Sequence, residues 1–205
     1  MSAGALILTH GAGSDRDAPL LVAVEAAFAA AGWLVERVNL SFRERRPKGP
    51  PHRGDAERDR EGLRRAVEAV RKRVSGAVLL GGVSYGGRQS SILAAANPDL
   101  VDGLLLLSYP LHAPGRPEKR RVEHFPQLRT PALFVHGTRD PFGAINELRE
   151  AIPLIPAQTE VVIVEGAGHD LKKGAGWDKQ PLVSFFRPHQ PARSSATSPG
   201  SKSSL

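Results

Sequence analysis

The chain has 205 residues, contains no cysteine, and has few aromatic residues, at 5% of the total. Without cysteine it can form neither disulfides nor thiolate metal sites, a composition typical of cytoplasmic proteins. No apolar run reaches the about 18 residues that span a membrane. No basic region precedes the first apolar run, so the pattern does not predict a signal peptide. We therefore expect a cytoplasmic protein that does not associate with membranes.

The net charge of +7 is concentrated in residues 43–73, where twelve Lys or Arg face six Asp or Glu. Such a segment could attract a protein partner, an acidic substrate or nucleic acid. The charges alternate in sign at helical spacing, which favours a solvated helix face with i,i+4 pairs. No aromatic residue interrupts the basic run, and the chain has only two Tyr and two Trp. We therefore expect no nucleic-acid binding.

Six apolar runs, separated by helical patterns and short loops, predict an α/β fold. The predicted sheet has about six strands, mostly parallel, with helices on both faces and no cap domain. The predicted strands are 5–9, 33–40, 77–82, 104–107, 132–136 and 160–165. The predicted helices are 17–31, 55–74, 88–97, 144–152 and 177–186. Residues 41–54, rich in Pro and Arg, are predicted to form a mobile loop.

Polar or glycine-rich turns follow four of the predicted strands, at residues 10–14, 84–87, 138–140 and 166–170. In a parallel sheet the carboxyl ends of the strands meet at one edge, and ligands bind beyond that edge. We therefore expect these four turns to lie together and to form the functional site.

The second of these turns contains the pattern G-x-S-x-G, formed by Gly82, Ser84 and Gly86. A serine at a sharp strand-to-helix turn exposes its hydroxyl, and its neighbours must be small because the two backbones nearly touch. The helix that follows directs its N-terminus at the site, where negative charge is favoured. The motif alone arises by chance in about one chain in fifteen of this length. Its interpretation as a nucleophile therefore depends on the residues that could assist Ser84.

Acyl transfer by a serine needs a base, an acid that orients the base, and N–H donors for the oxyanion. Asp140 and His169 follow Ser84 in the chain, each at the end of a predicted strand. The order Ser, Asp, His is the one found in α/β-hydrolases. Two alternatives stay open at this point: Asp140 is also a common turn residue before proline, and Asp170 lies beside His169.

Over about residues 3–187 the chain resembles the α/β-hydrolases, and it is most similar to the small lidless bacterial hydrolases near dienelactone hydrolase. It also resembles the hydrolase-like domain of a testis-expressed protein and of a histone acetyltransferase complex subunit. The resemblance is carried by residues 9–13, 81–88, 108–112, 135–141 and 166–169. We therefore predict a hydrolase domain at 1–187 and, from its Ser- and Pro-rich composition, a disordered tail at 188–205.

This resemblance implies that Ser84 is the nucleophile, Asp140 the orienting acid and His169 the base. It further implies oxyanion donors at the N–H groups of Ala12 and Tyr85. No cluster of His and carboxylate residues in the sequence suggests a metal, and we expect no cofactor. The chain departs from larger members in lacking their two N-terminal strands and their helical cap. An open, shallow site is therefore expected.

Tyr109 and His112, in a proline-rich loop, are predicted to contact the substrate. The side chain of Tyr85 is predicted to line the acyl pocket, and Arg88 to be a helix-surface residue. His10 and His136, at strand ends, are expected to hydrogen-bond the neighbouring loops rather than to react.

From these features we expect a serine hydrolase that cleaves an ester or similar acyl bond of a small soluble substrate. The alternative is a non-catalytic interaction module that uses the basic segment 43–73, because this fold hosts many functions. The sequence leaves the oligomeric state open.

Overall fold

A computed structural model describes residues 4–172 and 176–186, and the predicted tail lies outside this part of the chain. It contains one six-stranded sheet in the order β2-β1-β3-β4-β5-β6, and every pairing is parallel. The strands are β1 (Gly4–Thr9), β2 (Leu34–Val38), β3 (Ala77–Val83), β4 (Gly103–Leu107), β5 (Ala132–Gly137) and β6 (Thr159–Val164). The predicted α/β fold with a six-stranded parallel sheet is confirmed.

Helices cover both faces of the sheet, as predicted. They are α1 (Pro19–Ala30), α2 (Ser41–Arg45), α3 (Asp55–Arg71), α4 (Tyr85–Ala96), α5 (Ile145–Ala151) and α6 (Gln180–Phe186). One apolar cluster packs α1 and α6 against one face, and a second packs α3, α4 and α5 against the other. Because the four inner strands, β1, β3, β4 and β5, are buried on both faces, they appear in the sequence as nearly continuous apolar runs.

The segment predicted as a mobile loop, 41–54, begins with helix α2, so that prediction is wrong for residues 41–45. Phe42 is fully buried in the core, and its backbone N–H donates to Asp59 on α3. These two long-range contacts stabilise a helix of five residues that local propensity would not support.

The connection between β4 and β5 contains a single 3₁₀ turn, Phe125–Gln127, and no longer helix. In the described residues the fold therefore has no helical cap, in agreement with the prediction. Across these same ranges, 4–172 and 176–186, no helix combines the length and the apolar character needed to cross a membrane.

Candidate active site

The turn between β3 and α4 holds Ser84 in an unusual backbone conformation, with φ 52° and ψ −116°. A Cβ atom added at Gly82 would lie 2.9 Å from the carbonyl carbon of Gly86, and one added at Gly86 would collide with the carbonyl oxygen of His10. Both glycines are therefore required by the close approach of strand, helix and the loop after β1. This is the strand–turn–helix context that the G-x-S-x-G pattern predicts.

Three side chains predicted to act together lie in hydrogen-bond contact. The Ser84 hydroxyl donates to Nε2 of His169 at 2.8 Å. On the other side of the ring, Nδ1–H of His169 donates to the carboxylate of Asp140, at 2.8 and 2.9 Å from its two oxygens. The side chain of Asp140 is fully buried, whereas that of His169 is 25% exposed. The Asp140 contact fixes the tautomer whose Nε2 can accept a proton.

The carboxylate of Asp170, the other candidate acid, does not hydrogen-bond the His169 imidazole. Its carboxylate accepts the backbone N–H of Lys172 at 3.1 Å and lies 3.3 Å from the same residue's Nζ. The structure therefore favours Asp140 as the partner of the imidazole.

Phe142, which no sequence motif indicated, contacts both Asp140 and His169. Its backbone N–H donates to Oδ1 of Asp140 at 2.9 Å. Its ring stacks on the His169 imidazole, with 4.1 Å between the ring centroids. His136 contacts the loop that carries Phe142. Its Nε2–H donates to the carbonyl of Gly143 at 2.8 Å, so His136 hydrogen-bonds a neighbouring loop as predicted.

The backbone N–H groups of Ala12 and Tyr85 are the predicted oxyanion donors. Both residues line the same cavity as Ser84. Neither N–H has a hydrogen-bond acceptor among the residues that the structure describes. Two backbone N–H donors that have no acceptor and belong to residues lining the Ser84 cavity are compatible with an oxyanion site.

The loop that carries Ala12 is held by Arg43, a residue that the sequence analysis treated as part of a solvated basic face. Arg43 is buried, and its guanidinium donates to the carbonyl groups of Ser14 at 2.9 Å and Ala12 at 3.1 Å. It also donates to the carbonyls of Gly49 at 3.1 Å and Arg46 at 3.2 Å. The sequence does not indicate this role, because nothing in the composition of a basic run distinguishes one arginine from the next.

His10 also contacts the loop that carries Ala12. Its Nδ1–H donates to the carbonyl of Gly11, and its Nε2 accepts the N–H of Leu40. Burial lowers the pKa of His10, which is consistent with a neutral ring that both donates and accepts. His10 thus bonds neighbouring loops, as predicted.

Tyr85 lines the cavity, but its hydroxyl is turned toward α3, where it donates to Asp59 at 2.9 Å. Asp59 is fully buried and also accepts the N–H of Phe42. Burial raises the pKa of both Asp59 and Tyr85. The Tyr85 hydroxyl therefore anchors the turn rather than facing a substrate.

The cavity at this site measures about 600 Å³, a size typical of small-molecule sites. It is lined by residues 11–14, 83–85, Arg88, Pro110, Arg121, Phe142, His169 and Asp170. An apolar cavity of about 320 Å³ adjoins it at Ser14, Val83 and Asp170. In the part of the chain that the structure describes, no group of three or more His, Asp or Glu side chains is arranged to hold a metal ion.

The structure does not bring Tyr109 or His112 to this cavity, so their prediction as substrate contacts is corrected. Tyr109 is fully buried and its hydroxyl donates to the backbone carbonyl of Arg121 at 2.6 Å. His112 is 5% exposed, and its two ring nitrogens contact Glu147 and the carbonyl of Ala113. Both side chains are instead part of the packing beneath the β4–β5 connection.

Much of the charge in the basic segment 43–73 is neutralised within the chain. Asp55 pairs with Arg45 and Arg46, and Arg64 pairs with Glu61 and Glu68. Further ion pairs are Arg65–Glu61, Arg71–Asp102 and Arg73–Glu36. This pattern agrees with the favoured interpretation of a solvated, ion-paired helix face.

Comparison with known proteins gives the family. Residues 2–180 match the family model described as "Alpha/beta hydrolase domain". A dienelactone hydrolase from Anabaena variabilis has 20% identity and a TM-score of 0.70, over 93% of this chain and 88% of its own. A lidless α/β serine hydrolase from Xanthomonas campestris has 20% identity and a TM-score of 0.70, over 94% and 84%.

A third structure, an α/β serine hydrolase homologue from Coxiella burnetii, has 18% identity and a TM-score of 0.71, over 91% of this chain and 85% of its own. At these identities the likeness concerns the fold, and the family model gives membership. The proteins that share this fold thus include a dienelactone hydrolase and a hydrolase without a lid, as the sequence resemblance predicted. The chain belongs to the α/β-hydrolase domain family.

Proposed function

We propose that the protein is a serine hydrolase that cleaves an ester or similar acyl bond of a small substrate through an acyl-enzyme. The observation that carries this proposal is the continuous hydrogen-bonded chain from Ser84 through His169 to Asp140 at the β3–α4 turn. A structural serine has no need of an imidazole oriented in this way by a buried carboxylate.

In the first half of the reaction, the Ser84 oxygen attacks the substrate carbonyl while Nε2 of His169 takes the hydroxyl proton. The carbonyl oxygen becomes negative and accepts hydrogen bonds from the N–H groups of Ala12 and Tyr85. The buried carboxylate of Asp140 stabilises the imidazolium that forms. The imidazolium then gives its proton to the leaving alcohol, and the bond between carbonyl carbon and leaving oxygen breaks.

In the second half, water replaces the leaving group. His169 accepts a proton from the water as its oxygen attacks the acyl carbonyl, and the proton is then returned to Ser84. The acid product leaves and the serine is restored. The 25% exposure of the His169 side chain supports this step, because water can approach the ring directly.

Labelling with a fluorophosphonate, followed by intact-mass measurement, tests this function. A single adduct is expected on the wild type. The adduct is expected to be absent from Ser84→Ala and to form about 10³-fold more slowly in His169→Ala, because the serine then lacks its base. Ser14→Ala is the matched control, since Ser14 also lines the cavity but has no imidazole partner, and it should label like the wild type.

An adduct on Ser84→Ala would contradict the mechanism. A folded wild type that takes no adduct would also contradict it, and would redirect attention to the interaction module. In that case the experiment is a pull-down in which charge reversal of Arg45, Arg46 and Arg64 removes the partner while Ser84→Ala does not.

A further inference from the structure

Two arginines without acidic partners line the cavity beside Ser84. Arg88 lies in the first turn of α4, and Arg121 belongs to the β4–β5 connection. No carboxylate forms an ion pair with either within residues 4–172 and 176–186. The Nε atom of Arg88 is buried without a hydrogen-bond acceptor. The Arg121 side chain has one long hydrogen bond, at 3.4 Å, to the carbonyl of Pro110.

This arrangement differs from that of the nine arginines in the described residues that form an ion pair with aspartate or glutamate. Arg64, Arg65 and Arg71 of α3 pair with glutamate or aspartate, whereas Arg88 and Arg121 line a concave site. A buried guanidinium N–H without an acceptor is unfavourable and calls for an explanation, and an anion bound in the adjoining cavity would supply one for the guanidinium as a whole.

The two cations also act on each other. Burial lowers the pKa of Arg121, and the positive charge of Arg88 lowers it further, while Glu123 acts in the opposite direction. Arg88 stands in addition at the N-terminus of a helix, where the macrodipole disfavours positive charge. The carboxylate in the cavity lining, Asp170, is already bonded to Lys172.

We infer that Arg88 and Arg121 form a subsite for an anionic group of the substrate, a carboxylate or a phosphate, while the scissile carbonyl lies at Ser84. The guanidinium fork presents paired donors that match either anion. The substrate class is then narrowed from small esters to small esters that carry a negative charge. The attack of Ser84 on the scissile bond rests on the proposed function, but binding of the anion does not require Ser84.

Binding is measured first, by calorimetry on the Ser84→Ala protein, so that no turnover is needed. The probes are monomethyl succinate, methyl phosphate and the neutral dimethyl succinate. We expect one or both anionic probes to bind at least tenfold more tightly than the neutral diester. The tighter of the two anionic probes distinguishes carboxylate from phosphate.

Variants then assign the binding to the two arginines. Arg88→Gln and Arg121→Gln should each weaken binding of the anionic probe about tenfold or more, and Lys at either position should restore part of it. Arg116→Gln is the matched control, because Arg116 is an exposed arginine of the same connection and does not line the cavity. Thermal unfolding of each variant verifies that the fold is intact. Equal binding of the neutral and anionic probes would overturn the inference, as would folded Arg88→Gln and Arg121→Gln proteins that bind like the control.

Turnover provides the second readout. The ratio of kcat/KM is measured for 4-nitrophenyl hemisuccinate against 4-nitrophenyl butyrate, and for the butyrate ester of 5-nitrosalicylate against the same reference. These pairs place the charge on the acyl side and on the leaving side respectively. We expect a ratio above ten for one of them, reduced about tenfold by Arg88→Gln or Arg121→Gln. A ratio near one for both pairs would overturn the inference.

The two failures can be told apart. If anionic probes bind through the arginines but neither ester is cleaved and no fluorophosphonate adduct forms, the proposed function is wrong and the anion subsite stands. If adduct and turnover are present without any preference for charge, the subsite is wrong and the hydrolase proposal stands.

Discussion

Replacing Arg43 should separate activity from substrate binding, because this residue contacts the loop that carries Ala12, a proposed oxyanion donor, but does not line the Ser84 cavity. Its guanidinium joins four carbonyl groups, two of them in the loop at Ala12 and Ser14. Hydrogen bonds that involve a charged group contribute about 1.5–3 kcal/mol each and are not additive. Since water can replace part of them at this partly exposed loop, we expect Arg43→Met to lower the free energy of unfolding by about 3 kcal/mol.

The effect on catalysis follows from the position of Ala12. Complete loss of one oxyanion donor lowers kcat about 10²- to 10³-fold. In Arg43→Met the Ala12 N–H remains but is no longer fixed, so we expect kcat to fall by about 10- to 100-fold with little change in KM. Arg43→Lys should recover little, because a single ammonium cannot reach the carbonyls on both sides.

The assay is steady-state hydrolysis of 4-nitrophenyl acetate, with urea unfolding measured on the same preparations. Arg58→Met is the control, since Arg58 is an exposed arginine on α3, and it should leave kcat and stability unchanged. A folded Arg43→Met protein with wild-type kcat would refute the reasoning, because a purely structural arginine would lower stability alone.

Three further outcomes are expected. Gly86→Ala should fail to fold or lose more than about 3 kcal/mol, because its Cβ would strike backbone; Gly13→Ala, which has open space, should keep wild-type stability. Phe142→Ala should lower kcat about tenfold, because the His169 ring loses its stacking partner. Phe142→Tyr keeps an aromatic ring and should have a kcat near that of the wild type. Equal kcat values in the two variants would contradict this role of the ring. Burial, then the charge of Arg88, lowers the pKa of His124 to about 4. The unfolded chain takes up this proton near pH 6.5, so stability is full above that pH and is lost as pH falls toward 4, by up to about 3 kcal/mol. In urea titrations His124→Phe should lose less stability over this range, and identical pH profiles would exclude the effect.

The fold could be predicted from sequence because its signal is local. Strands buried on both faces need continuous apolar residues. The short apolar runs at 5–9 and 104–107 therefore predict buried strands. The contact among Ser84, Asp140 and His169 could be predicted for a related reason: each follows a strand, and parallel strands bring their carboxyl ends to one edge.

The remaining features depend on contacts between distant parts of the chain, which no local pattern reports. Helix α2 forms because Phe42 reaches the core, and Arg43 then points inward to the loop after β1. Tyr109 is of a residue type that is common in binding sites, but its side chain is fully buried beneath the loop that carries it. Arg88 was predicted to be a helix-surface residue, but it is half-buried and lines the cavity of Ser84.

The positive φ of Ser84 has a practical consequence for trapping a substrate. A non-glycine residue in such a conformation costs about 1–3 kcal/mol, and glycine adopts it without that penalty at a smaller cost in chain entropy. Ser84→Gly should therefore produce a protein more stable than the wild type by about 1 kcal/mol. It would have no hydroxyl to attack an ester, yet it would keep His169, the two backbone donors and the two arginines that line the cavity, Arg88 and Arg121. Such a variant is the form in which to co-crystallise an uncleaved ester, with added thermal tolerance during screening.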